Sequence, residues 1–563
     1  MPINTSHAIG RTDAPLIEDT IGHHFEAIAR RFPQREVLVS RHQGQRLTYA
    51  QLDRQANCLA NALLRAGLAP GDRAGIWAHN CAEWLLMQIA TAKAGIVLVN
   101  INPAYRATEL EYALNKVGCR MLVTMTAYKT SDYLGLVREL APELATARPG
   151  QLQAARAPQL QTVVQLGVGN EPGMLSFADL MASGSADDAA VAQVGAKLKG
   201  TDPINIQFTS GTTGFPKGAT LTHRNILNNG FFIGEAMQLT EHDRLCVPVP
   251  LYHCFGMVLG NLACITHGAT IVYPNDGFDP LTVLETVQAE KCTALHGVPT
   301  MFIAELAHPR FAEFDLSSLR SGIMAGSPCP TEVMKQVVER MHMNEVTIAY
   351  GMTETSPVSC QSSTQTPLDR RVSTVGLVQP HLEIKVIDPV TGASVPRGVT
   401  GEFCTKGYSV MHGYWGDEAK TREAIDTDGW MHTGDLATMD AEGYVNIVGR
   451  IKDMVIRGGE NVYPREIEEF LYRHPAVSDV QVIGVPDQKY GEELCAWVIL
   501  KAGQTATEDD IRGFCKGQIA HYKVPRYVKF VEAFPMTITG KIQKFAMRDQ
   551  MKQELQLTDA KTA

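Results

Sequence analysis

Residues 209–218 spell Thr209-Ser210-Gly211-Thr212-Thr213-Gly214-Phe215-Pro216-Lys217-Gly218, in which three glycines and four hydroxyl residues surround one lysine. Glycine lets a backbone approach an anion closely and turn its N–H groups inward, while hydroxyls donate hydrogen bonds and lysine supplies a mobile charge. The stretch therefore predicts a phosphate-binding loop. It is not a Walker A loop, because that pattern places Ser or Thr directly after the lysine, and here Gly218 follows it.

The flanks of this loop favour a phosphate site over a flexible linker, which composition alone would predict. Residues 204–208 alternate apolar and polar side chains, as a half-buried strand does. Residues 219–227 run from a strand into a helix, and Thr222 is placed to cap that helix. A linker seldom lies so tightly between two regular elements.

Length and charge set the broad class of this protein. With 563 residues, the chain exceeds what one hydrophobic core usually serves, so we expect two or more domains. The net charge is −9 and no basic block occurs, which argues against a nucleic-acid partner. We find neither a signal-peptide pattern nor an apolar run of membrane-spanning length, and therefore expect a cytoplasmic protein without a transmembrane segment.

The twelve cysteines are scattered without a Cys-x-x-Cys pair, and several lie in apolar segments, so we expect reduced core residues. Cys254 follows His253, and such a pair can serve as nucleophile and base. No third group that would orient the histidine is evident in the sequence. We therefore favour a structural role for this thiol.

The order of elements predicts an α/β fold with a small α+β unit at the end. Residues 47–123 and 245–289 alternate buried strands with helices, which favours parallel sheets covered by helices. Residues 145–200 are weakly patterned and suggest a loop-rich connection. From Glu383 the sequence becomes β-rich, with Gly and Pro turns. In the last hundred or so residues, Pro464 and Thr507 are suited to begin helices that lie among strands.

Further acids and bases lie in turns beyond the loop. Three segments carry them: Tyr350-Gly351-Met352-Thr353-Glu354-Thr355, Trp430-Met431-His432-Thr433-Gly434-Asp435 and Gly449-Arg450-Ile451-Lys452-Asp453. Each alone is weak evidence, since an acid in a turn is more often a helix cap or a solvated group. Together, and in this order, they are specific.

This combination closely resembles the adenylate-forming superfamily, which includes acyl-CoA synthetases, aryl-CoA ligases, beetle luciferases and the adenylation domains of peptide synthetases. The resemblance covers residues 47–541. Within the superfamily, the sequence most resembles medium-chain fatty acyl-CoA synthetases of the acyl-CoA synthetase family member two type. It implies a large N-terminal AMP-binding domain of layered αβ sheets with a β-rich subdomain, over residues 1–450. It also implies a small mobile α+β domain over residues 451–563, with a hinge at Lys452.

The resemblance implies ligation of a fatty acid to coenzyme A through an acyl-adenylate, with ATP and Mg²⁺. Residues 209–217 would bind the phosphates of ATP, with Glu354 on Mg²⁺ and Thr353 near the α-phosphate. Adenine would lie between Tyr350 and the Gly326-Ser327 pair. A carboxylate and a guanidinium suit ribose hydroxyls, and Asp435 and Arg450 would bind them.

The same resemblance gives the small domain two tasks. Lys541 would reach the reacting carboxylate and the α-phosphate, where negative charge collects in the transition state. After rotation about Lys452, a channel for the pantetheine of coenzyme A would be lined by Arg457, Gly458, Gly459 and Glu460. Lys523 and Arg526 are candidate contacts for the phosphates of coenzyme A, but solvated charges explain them equally well.

The predicted acyl pocket is apolar. Matching family segments place Tyr252, Cys254, Phe255, Met324, Ala325 and Met352 around the acid, with His253 beside the carboxylate or packed as a core histidine. Amino-acid-adenylating relatives usually carry an aspartate in the first segment, and this chain has none before Gly260. A charged tail would lack a partner there, so we expect an apolar acid.

Several alternative functions are compatible with the same residues. The thiol acceptor could be a carrier protein, and the acid could be aryl or 3-methylthiopropionate. A non-catalytic nucleotide-binding protein and a luciferase-type oxygenase are more distant candidates. The sequence leaves open the chain length of the acid, peripheral contact with a membrane and a homodimeric state.

Overall fold

The computed structural model describes residues 4–129, 131–169, 171–209, 216–327, 329–457, 460–487, 489–537 and 541–557. The chain forms a large N-terminal domain of mixed α/β sheets and a separate C-terminal domain. Residues 210–215, which make up most of the predicted phosphate-binding loop, therefore lie outside the described residues. Gly458, Gly459 and Gly540 also lie outside them.

The described residues form the following strands and helices. The strands are β1 His7–Ile9, β2 Glu36–Ser40, β3 Gln45–Thr48, β4 Arg73–Trp77, β5 Val97–Asn100, β6 Met121–Thr124, β7 Ala127–Tyr128, β8 Ser131–Asp132, β9 Thr162–Gln165, β10 Leu175–Ser176, β11 Pro203–Thr209, β12 Lys217–Thr222, β13 Arg244–Cys246, β14 Thr270–Tyr273, β15 Ala294–Gly297, β16 Ser321–Ala325, β17 Glu345–Gly351, β18 Val358–Gln361, β19 Leu377–Val378, β20 Leu382–Ile387, β21 Gly401–Gly407, β22 Gly413–Tyr414, β23 Met431–Met439, β24 Val445–Arg450, β25 Val455–Arg457, β26 Glu460–Val462, β27 Val477–Asp487, β28 Gly491–Leu500 and β29 Tyr527–Phe530. The helices are α1 Ile21–Arg31, α2 Tyr49–Arg65, α3 Ala82–Ala94, α4 Ala107–Val117, α5 Tyr133–Leu140, α6 Phe177–Ala182, α7 Ala189–Gly195, α8 His223–Ala236, α9 Ala263–His267, α10 Pro280–Glu290, α11 Pro299–Leu306, α12 Thr331–Arg340, α13 Leu368–Ser373, α14 Glu418–Ala424, α15 Pro464–Leu471, α16 Glu508–Cys515 and α17 Lys544–Glu554.

The first large sheet has eight strands in the order β10-β9-β6-β4-β5-β11-β12-β22. The strands from β10 to β11 run parallel, and β12 and β22 are added antiparallel. The predicted strands at 73–77 and 204–208 are confirmed as β4 and as part of β11. The helix predicted after β12 is α8, where Thr222 and Asn225 form a capping box.

The second large sheet has nine strands in the order β19-β18-β17-β16-β15-β13-β14-β2-β3. Its central strands from β17 to β2 are parallel. Residues of both large sheets and of α1, α2, α3, α8 and α9 share one hydrophobic cluster. Helix α3 is buried on nearly every side, which explains why its sequence lacks an amphipathic pattern.

A five-stranded antiparallel sheet, in the order β1-β20-β21-β23-β24, forms the predicted β-rich part of the N-terminal domain. Its strands β20 and β21 match the alternating segments expected after Glu383. The sheet ends at β24, whose last residue is Arg450.

The C-terminal domain contains an antiparallel sheet in the order β26-β25-β28-β27, and β29 pairs in parallel with β28. Pro464 is the first residue of α15, and Thr507 forms a capping box with Asp510 at α16, both as expected. This domain has hydrophobic clusters of its own, one of which contains Val455, Ile467 and Val498. It is therefore an α+β unit with a separate core.

Residues 145–200 are more than a loop-rich connection, because β9 and β10 form one edge of the eight-stranded sheet and α6 and α7 follow them. The elements are short, so their apolar periodicity is weak in the sequence.

Among the described helices, none is both long and apolar enough to cross a membrane.

Candidate functional site

Both large sheets deliver strand ends to one region. Strand β11 ends at Thr209 and β12 begins at Lys217, while β16 and β17 lead into the turns that carry Gly326 and Glu354. Ligands of open α/β sheets bind beyond the carboxyl ends of the strands, so this placement is typical of a binding site.

Glu354 lies at the centre of this region, in a short 3-10 turn after β17. The residue is only 5% exposed. Its Oε1 accepts hydrogen bonds from the Thr209 hydroxyl at 3.1 Å and from the Tyr414 hydroxyl at 2.9 Å. These bonds tie the turn to two strands of the other large sheet and satisfy a buried charge that would otherwise be costly.

Tyr414 is a site residue that sequence reasoning missed. Besides donating to Glu354, its hydroxyl accepts from Lys217 Nζ at 2.8 Å, and that ammonium also lies 4.1 Å from the centre of the Tyr414 ring. Burial lowers the pKa of Lys217, an effect that Glu354 partly opposes. Tyr414 is 197 residues from Lys217 in the chain, so no local pattern joins them.

Asp435 and Arg450 face each other on the neighbouring strands β23 and β24. Arg450 Nε donates to Asp435 Oδ1 at 3.0 Å, and the Tyr350 hydroxyl donates to Asp435 Oδ2 at 2.7 Å. The Arg450 side chain is 67% exposed, so solvent screens this ion pair and its contribution to stability is small. The three predicted nucleotide-binding residues are thus brought together.

Gly326 follows β16 with a φ of +91°, a backbone conformation that L side chains rarely adopt. A Cβ there would lie 3.1 Å from Val298 Cγ1. The glycine permits this conformation and the close approach of Val298, and Ser327 follows it.

The backbone sets which nitrogen of His253 carries the proton. The Phe255 N–H donates to His253 Nδ1 at 3.2 Å, so the neutral ring bears its hydrogen on Nε2. Burial, aided by the charge of Lys541, lowers the pKa of His253 to about 3. The ring is therefore a neutral hydrogen-bond donor at physiological pH. Burial raises the pKa of Cys254 to about 11, so its thiol is a poor nucleophile, as expected.

Four of the predicted pocket residues, Cys254, Phe255, Ala325 and Met352, belong to one hydrophobic cluster or pack against it. Tyr252, which lies just before Cys254 in the chain, is partly buried. Its backbone carbonyl accepts a hydrogen bond from the Asn100 side chain. Met324 was also predicted to line the pocket, but it packs in a different cluster with Phe302 and Met334. Adjacent residues of a strand point to opposite faces, so Met324 and Ala325 cannot both line one pocket wall.

Lys541 of the C-terminal domain lies in the site. Burial lowers the pKa of its ammonium; the nearby Cys254, Glu354 and Asp435 oppose this shift, and the charge of Arg450 adds to it. Two hydrogen bonds join Thr537 to Lys541, from Thr537 N to the Lys541 carbonyl at 2.8 Å and from Lys541 N to Thr537 Oγ1 at 3.1 Å.

The remaining predicted residues of the C-terminal domain lie outside the hydrogen-bonded cluster around Glu354. Lys452 is exposed in the turn after β24, near enough to Lys217 to lower the pKa of that lysine. Arg457 is ion-paired with the buried Glu493 at 2.7 Å, and Glu460 is its exposed partner on β26. Lys523 and Arg526 also have acidic partners within the domain, Glu466 and Asp487 respectively.

A second group of residues, which the sequence analysis did not predict, supports the turn that carries Asp435. Glu402 Oε1 accepts from the Gly434 N–H at 3.0 Å, and its Oε2 lies 3.1 Å from His432 Nδ1. The Cys404 sulfur and the Glu402 carboxylate raise the pKa of His432 to about 10. Asp426 approaches the opposite ring nitrogen at 3.5 Å, so the imidazolium joins two acids behind the turn.

Known proteins resemble this chain over most of its length. A family model described as AMP-binding enzyme matches residues 25–415, and one described as AMP-binding enzyme C-terminal domain matches residues 466–541. The chain is 52% identical to a putative acyl-CoA synthetase, YngI, of Bacillus subtilis, over 95% of this chain and 98% of the relative. It is 48% identical to the mitochondrial medium-chain acyl-CoA ligase ACSF2 of Danio rerio, over 99% and 92%. A crystal structure of the anthranilate CoA ligase AuaEII with anthranoyl-AMP superposes with a TM-score of 0.85, at 29% identity over 97% and 99%.

The His432 network predicts a stability that depends on pH. The folded-state pKa of about 10 lies above the ordinary value of 6.5, so the stabilisation is fully present below pH 6.5 and is lost as pH rises through 10. The difference in melting temperature between wild type and His432→Gln should therefore be largest near pH 6.5 and should shrink towards pH 10. The exposed His242→Gln is the control. A difference that stays constant or grows with pH would contradict this assignment.

Proposed function

Because the chain belongs to the AMP-binding enzyme family, we propose that it joins a fatty acid to coenzyme A, with ATP converted to AMP and pyrophosphate. It is an AMP-forming acid–thiol ligase. The observation that carries the proposal is the meeting of Lys217, Glu354, Asp435, Arg450 and Lys541 at one place beside an apolar cluster. A polyanion and an apolar acid can be bound side by side there.

The chemistry proceeds in two steps. A carboxylate oxygen attacks the α-phosphorus of ATP, the bond to the β-phosphate oxygen breaks, and pyrophosphate leaves. The sulfur of coenzyme A then attacks the acyl carbonyl, AMP leaves, and the thiol proton is released. The first step brings two anions together, so cancelling charge and fixing an in-line approach supply most of the catalysis.

Each residue has a task in the first step that matches its surroundings. Lys217 and the loop before it bind the β- and γ-phosphates, and Asp435 and Arg450 hold the ribose. Lys541 stabilises the charge that develops between the carboxylate and the α-phosphate. His253, neutral with its hydrogen on Nε2, is suited to donate to an oxygen of the acid.

The donors around Glu354 fit a magnesium ion. Mg²⁺ prefers carboxylate and other oxygen ligands and usually shares one or two protein groups with phosphate oxygens. Glu354 offers a buried carboxylate with the Thr209 hydroxyl beside it. The ion would supply charge to neutralise the phosphates.

The second step requires Lys541 to leave the site, and we place the boundary between residues 1–450 and 451–563, with the hinge at Lys452. The exposed turn at Lys452 can change its backbone torsions without disturbing a core. Arg457, Glu460 and the two glycines between them would then form the pantetheine channel. A cytoplasmic location and a homodimeric state remain predictions from the sequence.

The substrate class follows from the pocket and the relatives. The pocket residues Cys254, Phe255, Ala325 and Met352 supply no charge to a substrate tail, and ACSF2 relatives are described as medium-chain ligases. The similarity to an anthranilate CoA ligase keeps aryl acids as the second candidate.

Acid-dependent pyrophosphate exchange into ATP should separate these candidates. We expect hexanoate, octanoate and decanoate to support faster exchange than acetate, palmitate, benzoate, anthranilate or 3-methylthiopropionate. Adding free coenzyme A should then release AMP and acyl-CoA. Faster exchange with an aryl acid, or product release only with a carrier protein, would replace the proposed substrate or acceptor.

Lys541→Ala should separate the two steps. We expect acyl-adenylate formation to fall by at least about a hundredfold, as when one transition-state contact to a developing charge is removed. Thioester formation from presupplied acyl-AMP should stay near the wild-type rate, because Lys541 is not needed there. Lys516→Ala, an exposed lysine of the same domain, is the matched control. Equal loss in both steps would contradict the assignment.

Tyr414→Phe should slow adenylate formation by about tenfold to a hundredfold. The change keeps the ring under Lys217 and removes only the hydroxyl that joins Lys217 to Glu354. Hydrogen bonds to charged groups contribute about 1.5–3 kcal/mol, which gives this range of rates. Tyr408→Phe, a buried tyrosine that hydrogen-bonds Asn229, is the control. A Tyr414→Phe variant with wild-type kinetics would show that the network is dispensable.

A further inference from the structure

The first helix of the C-terminal domain, α15, contacts the N-terminal domain through Arg465. The side chain is 17% exposed, and its Nη1 donates to the backbone carbonyl of Ile447 on β24. Ile447 lies three residues before Arg450, the proposed ribose ligand, on the same strand. Arg465 thus ties the small domain to the strand that delivers Arg450.

Glu469 lies one helical turn further along α15 and strengthens this contact. Its Oε1 is 3.9 Å from Arg465 Nε, and its carboxylate lies against the backbone N–H of Thr331 at the start of α12. The residue before that helix is Pro330, which provides no side-chain cap. The small domain therefore brings a negative charge to the positive end of a helix in the large domain.

The same helix also holds the segment that carries Lys541. The buried Glu468 accepts from Lys544 Nζ at 2.6 Å and from the Val482 N–H at 2.8 Å. Lys544 is the first residue of α17 and lies three residues after Lys541. Adjacent residues of α15 thus contact the large domain on one side and the Lys541 segment on the other.

We propose that Arg465 is a positioning residue for the first step, because its bond to Ile447 fixes α15 on the large domain in the orientation that places Lys541 in the site. The inference rests on the proposed function for its effect on catalysis. The bond joins the two domains, so it must break when the small domain rotates for the second step. Arg465 should therefore assist adenylate formation and not thioester formation.

The test compares three variants in the separate half-reactions. Arg465→Ala should lower the turnover of acid-dependent pyrophosphate exchange by about tenfold, the loss expected for one hydrogen bond to a charged group. The KM values for ATP and octanoate should change by less than about twofold, since Arg465 touches neither substrate. Thioester formation from presupplied octanoyl-AMP should match wild type.

Two further variants distinguish positioning from folding. Arg465→Lys should recover part of the lost turnover, because an ammonium can still donate to a carbonyl. Arg512→Ala removes an arginine of the same domain that pairs with Glu508 and Asp509 within α16, and it should match wild type in both steps. Unchanged pyrophosphate exchange in Arg465→Ala, or equal loss in both half-reactions, would overturn the proposal.

Hydrogen–deuterium exchange provides a readout that does not need activity. In Arg465→Ala, peptides covering β24 and α15 should exchange faster than in wild type, while in Arg512→Ala they should not. Unchanged exchange in Arg465→Ala would overturn the docking role. If wild type itself lacked acid-dependent pyrophosphate exchange, the proposed function would fail, and deuterium exchange would still decide whether Arg465 holds the domains together.

Discussion

The buried carboxylate of Glu354 is the constraint on which the site depends. A charge with so little solvent contact requires hydrogen-bond donors, and Thr209 and Tyr414 provide them from the eight-stranded sheet while Glu354 itself follows a strand of the nine-stranded sheet. Tyr414 passes the connection on to Lys217. The same bonds that satisfy the acid therefore link the two large sheets at the site and hold Lys217, the proposed phosphate-binding lysine.

We propose a transient role for Lys541. Burial makes the charge of its ammonium costly and lowers its pKa, although Glu354 and Asp435 oppose this shift. An arriving carboxylate and α-phosphate would relieve that cost most where their charge is concentrated, in the transition state. Since Lys541 belongs to a domain with its own core, the enzyme can withdraw this charge without unfolding the site. Arg465 and the Glu468–Lys544 pair are the contacts through which we propose that one helix governs that withdrawal.

The sequence predicted those elements that depend on short-range patterns. The strand at Arg73–Trp77 and the helix caps at Thr222 and Thr507 follow from short-range signals, and they agree with the structure. Tyr414 and the Glu402–His432 pair could not be found, because strand pairing brings them to the site from distant segments. Met324 was misplaced since an apolar run does not show which of two neighbours faces the pocket.

The most direct test follows an oxygen atom from the acid. Octanoate carrying ¹⁸O in both carboxylate positions is incubated with ATP, coenzyme A and the enzyme, and the AMP formed is analysed by mass spectrometry. Attack of the carboxylate on the α-phosphorus predicts AMP that contains one ¹⁸O atom, while the other stays in octanoyl-CoA. Unlabelled AMP, or label in pyrophosphate, would show that no acyl-adenylate forms and would contradict the account.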